Sequence, residues 1–336
     1  MLHSQFSRST AARFGAAILL GAFLAGCSAA SPIAPGAAGG STGSVVQRTR
    51  ALADGHGPRS GAPSAQTGGW ISPDARRHRK GLIYWGSYDA STITIYSARG
   101  VNGKKKGQIT TGLSNPERLF VDTARNVYAT NIGNNTITAY QPGHTSPFLT
   151  ISNGVNSPTG LTVDAAGTVY CANVGNDTIT VYPKGQTSPS LTIPVSSSPE
   201  YLATDASDNL YASIGTAVYE FPPGSTSGKD LGLNAPGPSA LEVDKAGNLI
   251  VLAGSTVDYF PAGKTQPSKQ ITVTAGFPFA LSLSADEKTL YVSVETGSTF
   301  IIQDVSFPNG TAFSNKLTTN GGEWPVAVSP DNALGG

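Results

Sequence analysis

The residues best equipped for chemistry in this chain sit beside prolines. Glu117-Arg118 follows Pro116, Glu200-Tyr201 follows Pro199, Phe279 follows Pro278, and Glu323-Trp324 precedes Pro325. Carboxylates, a guanidinium and aromatic rings in such a set bind sugars or peptides, the rings stacking while charged groups fix orientation. Tyr88, Asn131, Asn134, Asn173, Asn176 and Phe277 extend the set, although the asparagines also suit tight turns. Catalytic chemistry has fewer candidates. The histidines are His3, His56, His78 and His144. The first three precede the folded region, so no histidine cluster is available for zinc, for a lyase base or for a Ser-His-Asp arrangement. Gly103-Lys104-Lys105-Lys106-Gly107 is a loop charge run without the glycine spacing that cradles phosphate.

The elements that carry these residues repeat. Asn115 to Ile151 (NPERLFVDTARNVYATNIGNNTITAYQPGHTSPFLTI) returns at Ser157 to Ile193 (SPTGLTVDAAGTVYCANVGNDTITVYPKGQTSPSLTI). A proline followed three residues later by an aliphatic residue recurs at Pro116/Leu119, Pro158/Leu161, Pro199/Leu202, Pro238/Leu241, Pro278/Leu281 and Pro325/Val328. The interval of roughly 40 residues is that of one four-stranded propeller blade. Within a unit, Leu161 to Val163 reads as strand a and Asp164 to Gly167 as a tight turn. Thr168 to Ala172, Thr178 to Tyr182 and Ser190 to Ile193 read as strands b, c and d. Leu82-Ile83-Tyr84-Trp85 aligns with strand b, and Pro325 to Asp331 with a lone strand a. Joined, they complete one blade. The expected fold is all-β: a six-bladed β-propeller of four-stranded antiparallel blades, its ring closed by a C-terminal strand joining the first blade.

The run Pro158-Thr159-Gly160-Leu161-Thr162-Val163-Asp164, with Gly167-Thr168-Val169-Tyr170 and Asn173-Val174-Gly175-Asn176, resembles the NHL repeat. Such propellers are similar to the TolB-like and gluconolactonase-like (SMP-30) groups. The resemblance implies a ring fold with a ligand or partner site on one face, and no single chemistry. Gly322-Glu323-Trp324-Pro325, leading into Leu82-Ile83-Tyr84-Trp85, is also similar to the Glu-Gly-Pro motif of six-bladed lactonases. That likeness implies a divalent metal, Ca or Zn, on Glu323. Those enzymes add an asparagine just after a later proline and an aspartate in a similar place. This chain has Glu117, Thr159, Glu200, Ser239, Phe279 and Val326 there, so Glu117 or Glu200 would have to substitute.

The N-terminus supplies an address. Phe14 to Leu24 is apolar but about half the length of a membrane span, as in a signal-peptide h-region. Leu24-Ala25-Gly26-Cys27 resembles the lipobox of bacterial lipoproteins, which implies cleavage before Cys27 and lipidation of its thiol. Residues 1–26 are then a signal peptide, 27–80 a disordered Gly/Ser/Pro-rich tether, and 81–336 the propeller. A net charge of +1 with 13% charged residues argues against nucleic acid. Cys171 has no intrachain partner once Cys27 is acylated, and reads as a small buried hydrophobe. The expectation is a monomeric, lipid-anchored, extracytoplasmic module of the bacterial cell envelope. It would bind a protein, peptide or glycan at the channel face through Glu117, Arg118, Glu200, Tyr201, Phe279 and Trp324, without cofactor or catalysis. The alternative is a metal-dependent, lactonase-like hydrolase at the channel mouth.

Overall fold

A computed structural model of the chain describes residues 69–72, 81–99, 101–235, 237–297, 299–319 and 323–329. Cys27, the signal segment and most of the tether lie outside the described residues. So do the side chains of Glu323 and Trp324, whose backbone alone is described.

The described residues form strands and turns. The first sheet contains β1 (Trp70–Ile71), β2 (Leu82–Ser87), β3 (Thr92–Ser97), β4 (Lys105–Ile109) and, from the far end of the chain, β25 (Glu323–Ser329). Five four-stranded sheets follow in chain order. The second holds β5 (Pro116–Val121), β6 (Val127–Asn131), β7 (Thr136–Tyr140) and β8 (Leu149–Ile151). The third holds β9 (Pro158–Val163), β10 (Val169–Asn173), β11 (Thr178–Tyr182) and β12 (Leu191–Pro194). The fourth holds β13 (Pro199–Thr204), β14 (Leu210–Ile214), β15 (Ala217–Phe221) and β16 (Lys229–Asp230). The fifth holds β17 (Pro238–Val243), β18 (Leu249–Ala253), β19 (Thr256–Phe260) and β20 (Lys269–Thr272). The sixth holds β21 (Phe277–Leu283), β22 (Thr289–Glu295), β23 (Phe300–Ser306) and β24 (Ser314–Thr319). The inner strands β25, β5, β9, β13, β17 and β21 touch in succession, and β21 returns to β25. The protein is therefore a six-bladed β-propeller, closed as expected by a C-terminal strand in the first blade.

Short-range chemistry explains the blades. At the a–b turns the Oδ1 atoms of Asp122, Asp164, Asp205 and Asp244 accept the amide N–H four residues on at 2.7–2.9 Å. A tyrosine hydroxyl then donates to the other carboxylate oxygen, from Tyr128, Tyr170, Tyr211 and Tyr259. The sixth blade has Ser284 at this place, and its Oγ accepts the Thr289 N–H at 3.0 Å. Each turn thus satisfies amides that the hairpin leaves out of its ladder.

Long-range burial joins the blades into a ring. Side chains alternate across each strand, so Leu82 and Tyr84 face the second blade while Ile83 and Trp85 face the sixth. Cys171 packs with the second blade and Ala172 with the fourth. Each of the six blade–blade interfaces has its own hydrophobic cluster, including the one between last and first blades. Cys171 is fully buried, and burial pushes its thiol well above the usual range, which makes it inert packing.

One strand was not expected. Trp70–Ile71 lies in the stretch assigned to the tether, yet it pairs antiparallel with β4, Trp70 opposite Gln108 and Ile71 opposite Gly107. Gly107 permits this, because a Cβ there would lie 2.7 Å from the Trp70 carbonyl oxygen. The short strand covers the outer edge of the first blade, which protects an exposed ladder.

Deleting residues 323–336 removes β25, exposes β2 as an unpaired edge and strips cover from both neighbouring blades. The melting temperature should fall by more than about 10 °C, since each kcal/mol lost moves the midpoint of a domain this size by roughly 2–4 °C. A truncated protein that melts with the full-length chain would show that the ring does not depend on this closure.

Candidate functional site

The prolines that mark the repeats begin or nearly begin the inner strands, where one edge faces the channel and a missing N–H breaks no ladder bond. Just beyond each, one extra residue enters the strand. Pro116 pairs with Asn131 and Arg118 with Thr130, which leaves Glu117 as the insertion. By the same registers the extra residue is Thr159 in β9, Ser239 in β17 and Phe279 in β21. In β13 the irregularity spans Glu200-Tyr201. In β25 it falls at Trp324-Pro325, before the position aligned from the repeat. Such bulges re-aim side chains, and here they set a ring of non-equivalent residues around the channel. The amides displaced from the ladder are recovered locally: Arg118 N–H donates to Thr130 Oγ1 and Tyr201 N–H to Ser213 Oγ, each at 2.9 Å.

One residue further on, the ring reads Arg118, Gly160, Tyr201, Ala240, Ala280 and Ala327. Only Arg118 and Tyr201 are large, and they meet although a whole blade separates their strands. The Arg118 guanidinium carbon lies 5.2 Å from the centroid of the Tyr201 ring. Gly160 on the intervening strand lets β9 pack closely on β13. A Cβ there would sit 2.5 Å from the Glu200 carbonyl oxygen and 2.8 Å from the Ala172 Cβ. A side chain would therefore push β9 away from β13 and shift the strand that carries Tyr201.

Arg118 is only 5% exposed. It lines an axial cavity of about 20 Å³, room for one or two water molecules, whose walls also include Phe120, Thr162 and Glu242. Among the described residues its guanidinium makes no hydrogen bond and no close ion pair; it lies over the Tyr201 ring and acts electrostatically on Glu117. Glu117 and Glu200 are half-buried, and no hydrogen bond from the described residues reaches either carboxylate. Burial raises the Glu117 carboxyl to about 7, with Arg118 opposing and Glu200 reinforcing the shift. Burial also raises Glu200. The Tyr201 hydroxyl rises by burial, against Arg118 and with help from Glu200 and Glu117. The Tyr88 hydroxyl rises by burial and by the charges of Glu117 and Asp89.

The structure thus gathers Glu117, Arg118, Glu200 and Tyr201 at one mouth and sorts the other candidates. The Phe279 ring packs edge-on against Phe300 at 6.3 Å and joins the cluster between the sixth and first blades. Asn131 and Asn173 were expected on the binding face; they are instead fully buried. Each donates to a threonine of strand c at 3.0 Å and accepts a loop N–H, so they tie turns together. Asn134 and Asn176 accept from Thr136 and Thr178 within their own turns. Gly160 and Glu242 belong to the site without having been singled out. Aligning the inner strands would have found both, as the missing side chain in the Arg118 ring and as an acid four residues past Pro238.

A six-bladed propeller with a polar, asymmetric channel mouth is the class these features define. No protein-family model matches the chain, and no curated protein matches it. Solved structures share the fold. The propeller of a nidogen/laminin complex aligns with TM-score 0.59 at 17% identity, over 74% of this chain and 98% of that one. Virginiamycin B lyase from Staphylococcus aureus, as a catalytically inactive histidine-to-alanine variant with quinupristin, aligns with TM-score 0.51 at 11% identity, over 74% and 87%. Hydrazine synthase of Kuenenia stuttgartiensis aligns with TM-score 0.50 at 14% identity, over 61% of this chain and 66% of that chain, just under two thirds of its length. At these identities the likeness is one of fold.

The raised Glu117 carboxyl gives a signed pH dependence. Between about 4.5 and about 7 the folded protein keeps a proton that the unfolded chain has released, so stability falls as pH rises through that window. Glu117→Gln removes the loss. Its stability relative to wild type should be greater at pH 8 than at pH 4 by roughly 1–3 kcal/mol, read from denaturant melts at both values. A relative stability that does not change with pH would show that Glu117 ionises freely.

Proposed function

We propose that this chain is a non-catalytic ligand-binding propeller of the NHL type, held at an extracytoplasmic bacterial membrane surface by a lipid on Cys27. The observation that carries the reading is the trio Glu117, Arg118 and Glu200. Three charged groups, buried or half-buried, converge on one mouth, and among the described residues no hydrogen bond closes any of them. Buried polar groups in a pure scaffold are paired, as Asn131 and Asn173 are here. The partner is a protein, peptide or glycan presented to the channel face. The nidogen/laminin structure is a precedent for this fold in a protein complex. The repeated proline and turn aspartate support the NHL assignment, and Leu24-Ala25-Gly26-Cys27 supports the anchor.

Catalytic readings find less support. The lyase structure is described as inactive on losing a histidine. The one histidine among the described residues, His144, is exposed in the β7–β8 turn, with its Nδ1 3.2 Å from the Pro142 carbonyl oxygen. A lactonase-type metal would need Glu117 or Glu200 to join Glu323, whose side chain lies outside the described residues. Among the described residues no three His, Cys, Asp or Glu side chains converge to hold an ion. The Arg118 guanidinium beside Glu117 would repel a divalent cation.

Calorimetric titration of the full-length chain with Ca²⁺ and Zn²⁺, beside turnover assays on a γ-lactone, separates the readings. No stoichiometric metal binding and no hydrolysis are expected. Tight binding abolished by Glu323→Ala, with lactone turnover, would overturn the binding-module reading. Cys27→Ser should move the protein from the membrane to the soluble fraction, and a variant that stays with the membrane would overturn the anchor.

A further inference from the structure

The charge set at the mouth restricts the chemistry of what it binds. Arg118 is the one cation on the axial cavity wall, and Glu242 shares that wall. Glu117 precedes Arg118 at the bulge of β5, and Glu200 precedes Tyr201 at the bulge of β13. A simple anion reaching Arg118 would meet three carboxylates, and a simple cation reaching the carboxylates would meet the guanidinium. A ligand carrying both signs on adjacent atoms satisfies both. We propose that the mouth binds the zwitterionic head of a free α-amino acid, its carboxylate on Arg118 and its ammonium on Glu200 and Glu117. The inference rests on the ligand-binding reading given above and names its substrate class.

Geometry supports each half. The Arg118 guanidinium lies over the Tyr201 ring, and no hydrogen bond among the described residues uses its donors, which form the planar fork that suits a carboxylate. The cavity of about 20 Å³ beside Arg118 takes no more than one or two water-sized groups, so only carboxylate oxygens enter it and the ammonium and side chain lie outside. The two rim carboxylates accept from an ammonium, which has three donors and no acceptor.

The test uses the full-length chain, with melting temperature and calorimetry as readouts. The probes are alanine, glutamate, lysine and phenylalanine at millimolar concentration, with acetate, methylammonium and an equimolar mixture of the two as controls. At least one amino acid should bind and raise the melting temperature, while the separate ions should not. Arg118→Met and Glu200→Gln should each weaken binding by at least about tenfold, the loss of one charge-assisted hydrogen bond. Arg118→Lys keeps the buried charge but not the fork, so it should fold and still bind more weakly, which covers the case of a misfolded Arg118→Met. Absence of binding by every amino acid, or binding indifferent to Arg118 and Glu200 substitutions, overturns the proposal. Acetate binding that needs Arg118 but gains nothing from an ammonium overturns the zwitterion and leaves a binding site standing. Metal-dependent lactone turnover overturns both readings.

Discussion

The ring depends on the pairing of β25 with β2. These strands come from opposite ends of the described chain, and Leu82, Ile83, Tyr84 and Trp85 lie opposite Ser329, Val328, Ala327 and Val326. The backbone bonds matter less for their own energy, about 1 kcal/mol each, than for what they hold in place. Val326 belongs to the cluster between sixth and first blades, and Ala327 to the cluster between first and second. One strand thus supplies both faces of the closing blade. Without it two of the six interfaces would open, and the inner strands would no longer converge on an axis.

Convergence turns a local irregularity into a site. Every inner strand carries one bulge near its marker residue, so the same backbone device recurs six times around one ring. Identical devices need not carry identical residues. Thr159 and Ser239 are small, Phe279 is absorbed into packing, and Glu117 and Glu200 remain as charges. One position further in, four of the six residues are Ala or Gly, and the two large ones, Arg118 and Tyr201, meet across a neighbouring blade. The repeat therefore makes the frame, and the departures from the repeat make the chemistry.

This division explains what was readable from residues alone. Blade number and closure were legible because a proline, an aliphatic residue and a turn aspartate recur at fixed offsets, and each has a local physical job. Glu117, Arg118, Glu200 and Tyr201 were legible as candidates because they break the pattern beside those prolines. Their meeting was not, since a contact between β5 and β13 depends on the close packing of the inner strands, including β9 on β13 at Gly160, which has no local signature. Asn131 and Asn173 misled for the opposite reason. A polar residue before a turn looks available, yet the bulge opposite turns it inward, where strand-c threonines and loop amides satisfy it. Trp70–Ile71 was invisible because two residues carry no periodicity, and their pairing is licensed by Gly107 on another strand.

Magnitudes set the character of the mouth. Taking a guanidinium out of water costs several kcal/mol even after relaxation, and stacking on an aromatic ring returns about 0.5–2 kcal/mol. The Tyr201 contact therefore orients Arg118 without offsetting its desolvation. Glu117 carries a similar unrelieved cost, visible as a carboxyl raised to about 7 despite the adjacent guanidinium. The six hydrophobic clusters can absorb such costs, since burying one large aliphatic side chain contributes about 1.5–3 kcal/mol. A ligand that hydrogen-bonds these groups would recover energy the fold has left unrealised. Binding and stability should then be coupled at this mouth: substitutions that neutralise Glu117 stabilise the free propeller, and the same substitutions remove part of what the ligand is there to satisfy.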